Sequence, residues 1–592
     1  MKYNEILIGE HAFSRGAKVL LKDDIRKEHC HIVGATGTGK SKLMEYMIRQ
    51  DIRNGKGVCL IDPHGSLYKS VLKWVAAYNF QHRLVVIDPE EKDWSVGLNF
   101  LEYDPEYFDA GQHVENVIYG IGKARDENIF STSQVIIWLT NFLQLAALQG
   151  LTLSEVYHLL NENNKELRHA LTERIQDDQE LIYHLKEAWN EYDSAPPRTR
   201  ADVMKLPVWS RVQTFRATKT MRHIVGQSKT TIDFYEAMEK GKIVLVNLHG
   251  RLSERERNLL GVIIIDKIYQ AAMRRIPDRG KLFYVYVDEF GNFVSDRIAL
   301  ALEELRKRHV PFILAHQELE QLRDEGRADG RRLLASIMTN AKIKIAFRIS
   351  RADAEAMALE MFAGFIDGDK IKHEQKVKAF WPQKTTERSY ARGEVITEGE
   401  AQGIMNTIGS MSGGFSGKVY VPGIGFLGAD ELSTYSAGVS SGASEMEGTS
   451  RSNMRSYSKS EVEIEFPFYE MEPFDQVTST TFYSIEEIKE QYIQLLQNQA
   501  ERFFHLRILG QTEKPPIALM TPTVNEARIR PSLLKNAKLK SIQKYGLPVA
   551  EIERQCEERR RELLKLQNAC EEQEIEDDDL IFDQEDYEPP EQ

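Results

Sequence analysis

Gly34-Ala35-Thr36-Gly37-Thr38-Gly39-Lys40-Ser41, preceded by the apolar run His31–Val33, decides the fold of this chain. The eight residues fit G-x-x-x-x-G-K-[ST]. Glycines let such a loop wrap a row of phosphates with its N–H groups turned inward. Leu43, Met44, Met47, Ile48 and Ile52 then recur at helical spacing, so a helix opens near Lys40. Its positive end faces the same anion. Lys40 is expected to reach the β- and γ-phosphates, and Ser41 to ligate Mg2+. ATP with Mg2+ is therefore the expected ligand.

Working outward, short apolar runs alternate with helical stretches. Val58–Ile61 ends in Asp62-Pro63, and Leu84–Ile87 ends in Asp88-Pro89. The pattern returns with Ile243–Leu248, Phe283–Val287, Phe312–Leu314 and Ile343–Phe347. Strands alternating with helices imply a parallel α/β sheet. Between the two blocks, Val135, Ile136, Leu139, Phe142, Leu143, Leu159, Leu160, Leu167 and Leu171 show helical spacing, so residues 105–226 are expected to form an all-helical insertion.

A phosphate loop of this kind needs a carboxylate on a neighbouring strand for the metal. Of the three apolar runs that end in Asp, only Tyr286-Val287-Asp288-Glu289 offers two adjacent acids. Asp288 is assigned to Mg2+ and Glu289 to the attacking water, as its general base. Asp62 and Asp88, each followed by Pro, are expected to end strands at turns. Gln317 follows Phe312–His316 and is placed to sense the γ-phosphate or orient water. Arg306, in Arg306-Lys307-Arg308, suits a finger reaching a neighbouring subunit's phosphate; a solvated helix face accounts for it almost as well, and Arg348 is a further candidate.

The chain has 592 residues, 42% apolar and 28% charged, which excludes collagen-like, wholly disordered and disulfide-scaffold classes. Net charge is −13, but Glu571–Gln592 holds twelve acids and no Lys or Arg; without them the body stands at −1. Near-neutrality does not argue against a nucleic-acid partner. The four cysteines lack zinc spacing, and a reduced, cytoplasmic setting is expected. No apolar run approaches the roughly 18 residues of a spanning helix. Barely thirty residues precede the loop, so direct membrane insertion is not expected. Candidate cations for a nucleic-acid backbone are Arg274, Arg275, Arg279 and Lys281; Arg323, Arg327, Arg331 and Arg332; and Arg528, Arg530, Lys535, Lys538 and Lys540. Solvated helix faces are the blander reading of each cluster. No groove-reading module appears, so binding is expected to be largely sequence-independent.

GATGTGKS, then CLIDPHG at Cys59–Gly65, VYVDEFGNF at Val285–Phe293, LRKR at Leu305–Arg308 and LAHQ at Leu314–Gln317 resemble, in this order, the HerA–FtsK superfamily of DNA-pumping ATPases. VGLNFLE at Val96–Glu102 and KIVLVNL at Lys242–Leu248 make the conjugative coupling proteins (type IV secretion system DNA-binding proteins) the most similar branch. The resemblance implies a RecA-like P-loop ATPase core in two parts, 1–104 and 227–365, around the helical insertion. It implies a homo-hexamer pumping DNA through its channel, with Lys40, Asp288, Glu289, Gln317 and Arg306 in the family's catalytic positions. A relaxase, a membrane secretion channel or a nuclease would be the partner. A HerA-like motor serving a nuclease in DNA processing or phage defence, and a secretion ATPase threading protein, are the alternatives. Residues 366–470 are expected to be a Gly/Ser-rich insertion, 471–570 an α+β extension, and 571–592 a disordered acidic tail.

Overall fold

The computed structural model describes residues 4–582 except 15, 126–132, 177, 294–295, 323–327, 368, 400–418, 422–424, 428–453 and 511–513. The chain divides into two units: Met1–Asp369 with Tyr483–Gln592, and Lys370–Phe482. Most of the Gly/Ser-rich stretch 409–460 lies outside the described residues, as do Arg323, Arg327 and the end of the acidic tail.

The first unit is built on an eleven-stranded sheet. Its strands are β1 (Glu5–His11), β2 (Lys18–Lys22), β3 (Cys30–Val33), β4 (Gly57–Asp62), β5 (Leu84–Ile87), β6 (Ile243–Asn247), β7 (Phe283–Val287), β8 (Phe312–His316), β9 (Ile343–Ala346), β12 (Phe503–Ile508) and β13 (Ile517–Met520). The order is β2-β1-β13-β12-β9-β3-β8-β7-β4-β6-β5. The seven strands from β9 to β5 run parallel. They are buried along their whole length, as the continuous Val/Ile/Leu runs require of a sheet covered on both faces. β12, β13, β1 and β2 continue it antiparallel. The stretch expected as a separate α+β extension thus supplies two strands of the main sheet.

Helices α1 (Lys40–Arg53) and α2 (Ser66–Ala77) follow β3 and β4. The insertion is helical as expected, with α3 (Ala110–Arg125), α4 (Ser133–Leu148), α5 (Lys165–Glu173) and α6 (Gln179–Ser194). Its core is aromatic: Phe142 lies 5.1 Å from Trp189 and 5.3 Å from Tyr192. α7 (Glu254–Met273) is buried on nearly every side and starts at a capping box of Ser253 and Glu256. α8 (Arg351–Phe362) packs against α9 (Ile485–Gln497), Phe362 stacking on Tyr492 at 4.2 Å. α10 (Pro531–Tyr545) covers β5, and α11 (Val549–Phe582) reaches back to the insertion, where Arg559 meets Glu155 at 3.1 Å.

In the second unit β10 (Ile371–Gly399) and β11 (Met454–Phe482) form one antiparallel ribbon. The boundary drawn at residue 470 falls inside β11. The sequence suggests two short strands here, Glu461–Phe468 and Thr478–Tyr483; in the structure the first lies within β11 and the second is its end, with Tyr483 just beyond. Both strands of a two-stranded ribbon are edges, where the missing N–H of a proline such as Pro467 or Pro473 is tolerated when it faces outward.

Candidate nucleotide site

β3 and β8 deliver the site's two polar tips side by side, because their parallel register sets Val33 opposite His316. The loop leaves β3 pinned on both flanks: Gly34 N–H donates to the His316 carbonyl (3.3 Å) and Ala35 N–H to the Arg348 carbonyl (2.8 Å). Gly34 is needed for space, since a Cβ there would sit 2.6 Å from Cβ of Phe347. Gly37 and Gly39 hold φ of +79° and +117°, the left-handed region that turns the loop's N–H groups to one side. Thr38 closes the loop internally through its hydroxyl to the Ala35 carbonyl at 2.7 Å.

The Lys40 ammonium spans the loop, donating to the carbonyls of Gly34 and of Ala35 (3.3 Å). Burial lowers its pKa, while Glu289 and Asp288 oppose the shift. The Ser41 hydroxyl donates to Asp288 Oδ2 at 3.2 Å. These oxygen donors suit a hard divalent cation. Burial and the neighbouring carboxylates of Asp62 and Glu289 push Asp288 up to about 6, against the pull of Lys40 and Ser41.

Glu289 lies just past β7 with φ of +47°, a conformation that costs a non-glycine residue about 1 kcal/mol or more. Its carboxylate accepts from Gln317 Nε2 at 2.7 Å. Gln317 Oε1 in turn accepts from the Thr36 hydroxyl at 2.7 Å. Loop, acid pair and amide thus form one hydrogen-bonded unit. Asp62 caps α2 through the N–H groups of His64 and Tyr68, each at 2.8 Å. Asp88 accepts from Tyr68 and Asn247 and pairs with Lys538 at 2.7 Å. Both acids end strands at turns.

The arginines separate. Arg306 lies before β8 and pairs with Glu28 at 2.5 Å, at the amino ends of the strands and so at the sheet end opposite the loop. Any role at a phosphate would have to be on another subunit. Arg308 donates to the carbonyls of Met273 (2.6 Å) and Arg275, where it caps α7. Arg348 is exposed beside the loop. Two of the backbone-contact candidates are already engaged. Arg275 is buried and held by Glu239 at 2.8 Å and by the carbonyls of Arg308 and Lys281, and Lys538 is paired with Asp88 at 2.7 Å. The side chains of Arg331 and Arg332 lie outside the described residues.

Two features escaped sequence reading. His31 and His316 stack with Nε2 atoms 2.6 Å apart, directly beneath the loop. Burial pushes His316 down to about 4 and His31 in the same direction, so both are neutral and one donates to the other. From the far end of the chain, Arg502 donates its N–H to the Thr38 carbonyl at 2.9 Å, with its Cα 3.5 Å from where a Cβ on Gly39 would stand. Nothing near residue 502 in sequence signals a phosphate loop.

Residues 6–268 match the family model described as the central domain of the helicase HerA. The resemblance to the HerA–FtsK superfamily is therefore met over that stretch. Among solved structures, the chain is similar to the bacterial conjugative coupling protein TrwBdeltaN70, at 13% identity over 88% of this chain and 91% of that one, with a TM-score of 0.47. TrwB in complex with ADP and Mg2+ gives 13%, 88%, 92% and 0.47. VirB4 of Thermoanaerobacter pseudethanolicus gives 14%, 60%, 87% and 0.40. No curated protein matches the sequence.

Proposed function

We propose that this chain, similar over residues 6–268 to the HerA central domain, is an ATP-dependent DNA translocase, a coupling-protein-like pump. One observation carries the reading: Ser41–Asp288 and Thr36–Gln317–Glu289 converge on a single phosphate loop. In the proposed mechanism Lys40 and the loop N–H groups hold the triphosphate, and bound Mg2+ would neutralise charge developing on it. Ser41 and Asp288 would hold that ion. Glu289 accepts a proton from the attacking water, and Gln317 holds the Glu289 carboxylate in line. Because Gln317 also grips Thr36, loss of the γ-phosphate is felt on β8. In the proposed mechanism that strand would carry the change toward the parts that contact DNA. The assembly would be a homo-hexamer in the cytoplasm, recruited to a membrane channel by partners; among the described residues no helix is long and apolar enough to cross a membrane.

The HerA match favours one second reading, a motor that serves a nuclease in DNA processing. Hydrolysis measured with and without DNA tests the common core. DNA should stimulate it, and Lys40→Ala should abolish it. An ATPase indifferent to single- and double-stranded DNA would sink both readings. Co-purification with a nuclease, rather than with a relaxase or a channel, would select the second.

A further inference from the structure

The β10–β11 ribbon pairs 29 residues of each strand, on the order of 90 Å of extended chain. Two strands alone are at best marginally stable in water; a third strand or a covered face is needed. Both faces of this ribbon carry apolar groups. Alternation puts Val377, Trp381 and the cross-strand Phe474 on one face, and Phe380, Met471 and Val477 on the other. Trp381 is 68% and Phe380 58% exposed. Among the described residues, β10 and β11 pair only with each other, so each keeps one open edge. Long open edges with apolar flanks are templates for another strand.

We propose that the ribbon is a self-association arm in which the open edge of β11 in one copy pairs with the open edge of β10 in the next. Charge selects this occupant. β10 carries six Lys or Arg (Lys372, Lys376, Lys378, Lys384, Arg388, Arg392) against four acids; β11 carries six acids (Glu461, Glu463, Glu465, Glu470, Glu472, Asp475) against two Lys or Arg. Within the ribbon the two strands already alternate in sign, Lys378 opposite Asp475. Pairing β10 with β10, or β11 with β11, would set like charges side by side, which is destabilising. Pairing β11 with β10 of the next copy continues the alternation. The two edges differ, so the contact is head to tail and closes into a ring when the rotation allows. None of this depends on nucleotide chemistry.

The test uses the full chain, by mass photometry and sedimentation velocity. K376E/K378E/K384E makes both strands acidic, and E470K/E472K/D475K makes both basic. Each triple variant alone should lose association, its apparent dissociation constant rising roughly tenfold or more. An equimolar mixture should regain it, because acidic and basic ribbons then alternate. Repair of pairing inside one ribbon cannot produce that rescue. Variants that assemble like the parent, a mixture that fails to recover, or a parent that is monomeric at tens of micromolar would overturn the proposal. So would an unaltered chain that floats with phosphatidylcholine vesicles in place of associating. Amide exchange on the unaltered chain decides the matter even should the variants misfold. Protection along β10 and β11 must rise with concentration as copies associate; protection that ignores association overturns the idea.

Discussion

Gln317 sits between a loop hydroxyl and the Glu289 carboxylate, so its amide is fixed at both ends. Gln317→Leu keeps the volume and removes both bonds. The expected result is a fall in kcat of about 10–100-fold with KM for ATP little changed, since in the proposed role the amide acts through the Glu289 carboxylate it holds. Steady-state kinetics checks it; an equal rise in KM would count against that role. Asp288 gives a pH prediction. Its folded pKa of about 6 lies above the usual carboxylate value, so below pH 6 a proton competes with the cation. Mg2+ affinity should therefore weaken as pH falls through 6, approaching about tenfold per pH unit below it. The sign for stability is opposite: without metal, the buried charge costs stability above pH 6, and protonation relieves that cost as pH falls. Calorimetric Mg2+ titration with ADP between pH 5 and 8 reads the first effect. Asp288→Asn should reduce the pH dependence of what binding remains to that of the ADP phosphate itself.

At the scale of elements, the turn into β12 buttresses the phosphate loop. Arg502 adopts φ of +70°, and its side chain is tied to the Thr521 carbonyl at 2.7 Å and the Thr523 hydroxyl at 3.1 Å. Arg502→Gly removes those ties but suits the left-handed backbone, and should cost about 1 kcal/mol or less. Arg502→Pro cannot adopt that φ and deletes the N–H that holds Thr38, so it should cost about 3 kcal/mol and weaken nucleotide binding. Denaturant melts and a fluorescent ATP analogue distinguish the two; equal effects would mean the backbone bond is unimportant. The insertion's core offers an independent case. Trp189 is fully buried and donates to the Thr172 hydroxyl at 2.8 Å. Trp189→Ala should cost about 3–5 kcal/mol of insertion stability. Nucleotide affinity should hold at temperatures where the insertion stays folded.

For the whole molecule, the body's near-neutral charge means that the proposed DNA contact would have to come from localised cations. Arg528, Arg530, Lys535 and Lys540 are exposed around the start of α10. Reversing them to Glu should reduce DNA-stimulated hydrolysis alike for unrelated sequences and flatten its salt dependence, leaving basal hydrolysis intact. A loss confined to one DNA sequence would contradict a backbone-reading motor.

The phosphate loop, the acid pair, the glutamine and the parallel strands were legible because each is a local signal: glycine spacing, a carboxylate at a strand end, a run of Val, Ile and Leu. The helical insertion was legible for the same reason, through the 3.6-residue period. Tertiary structure alone decided which distant residues meet. Residues 503–508 and 517–520 read as part of an α+β extension of their own, yet backbone hydrogen bonds, which carry no side-chain signature, make them sheet neighbours of β9 and of each other. The same blindness hid Arg502 beneath Thr38 and left Arg306 looking free, though folding brings Glu28 to it from 278 residues away. Pairing across such separations depends on which strand edges remain open once the core has closed, a property of the folded sheet and not of any stretch of chain.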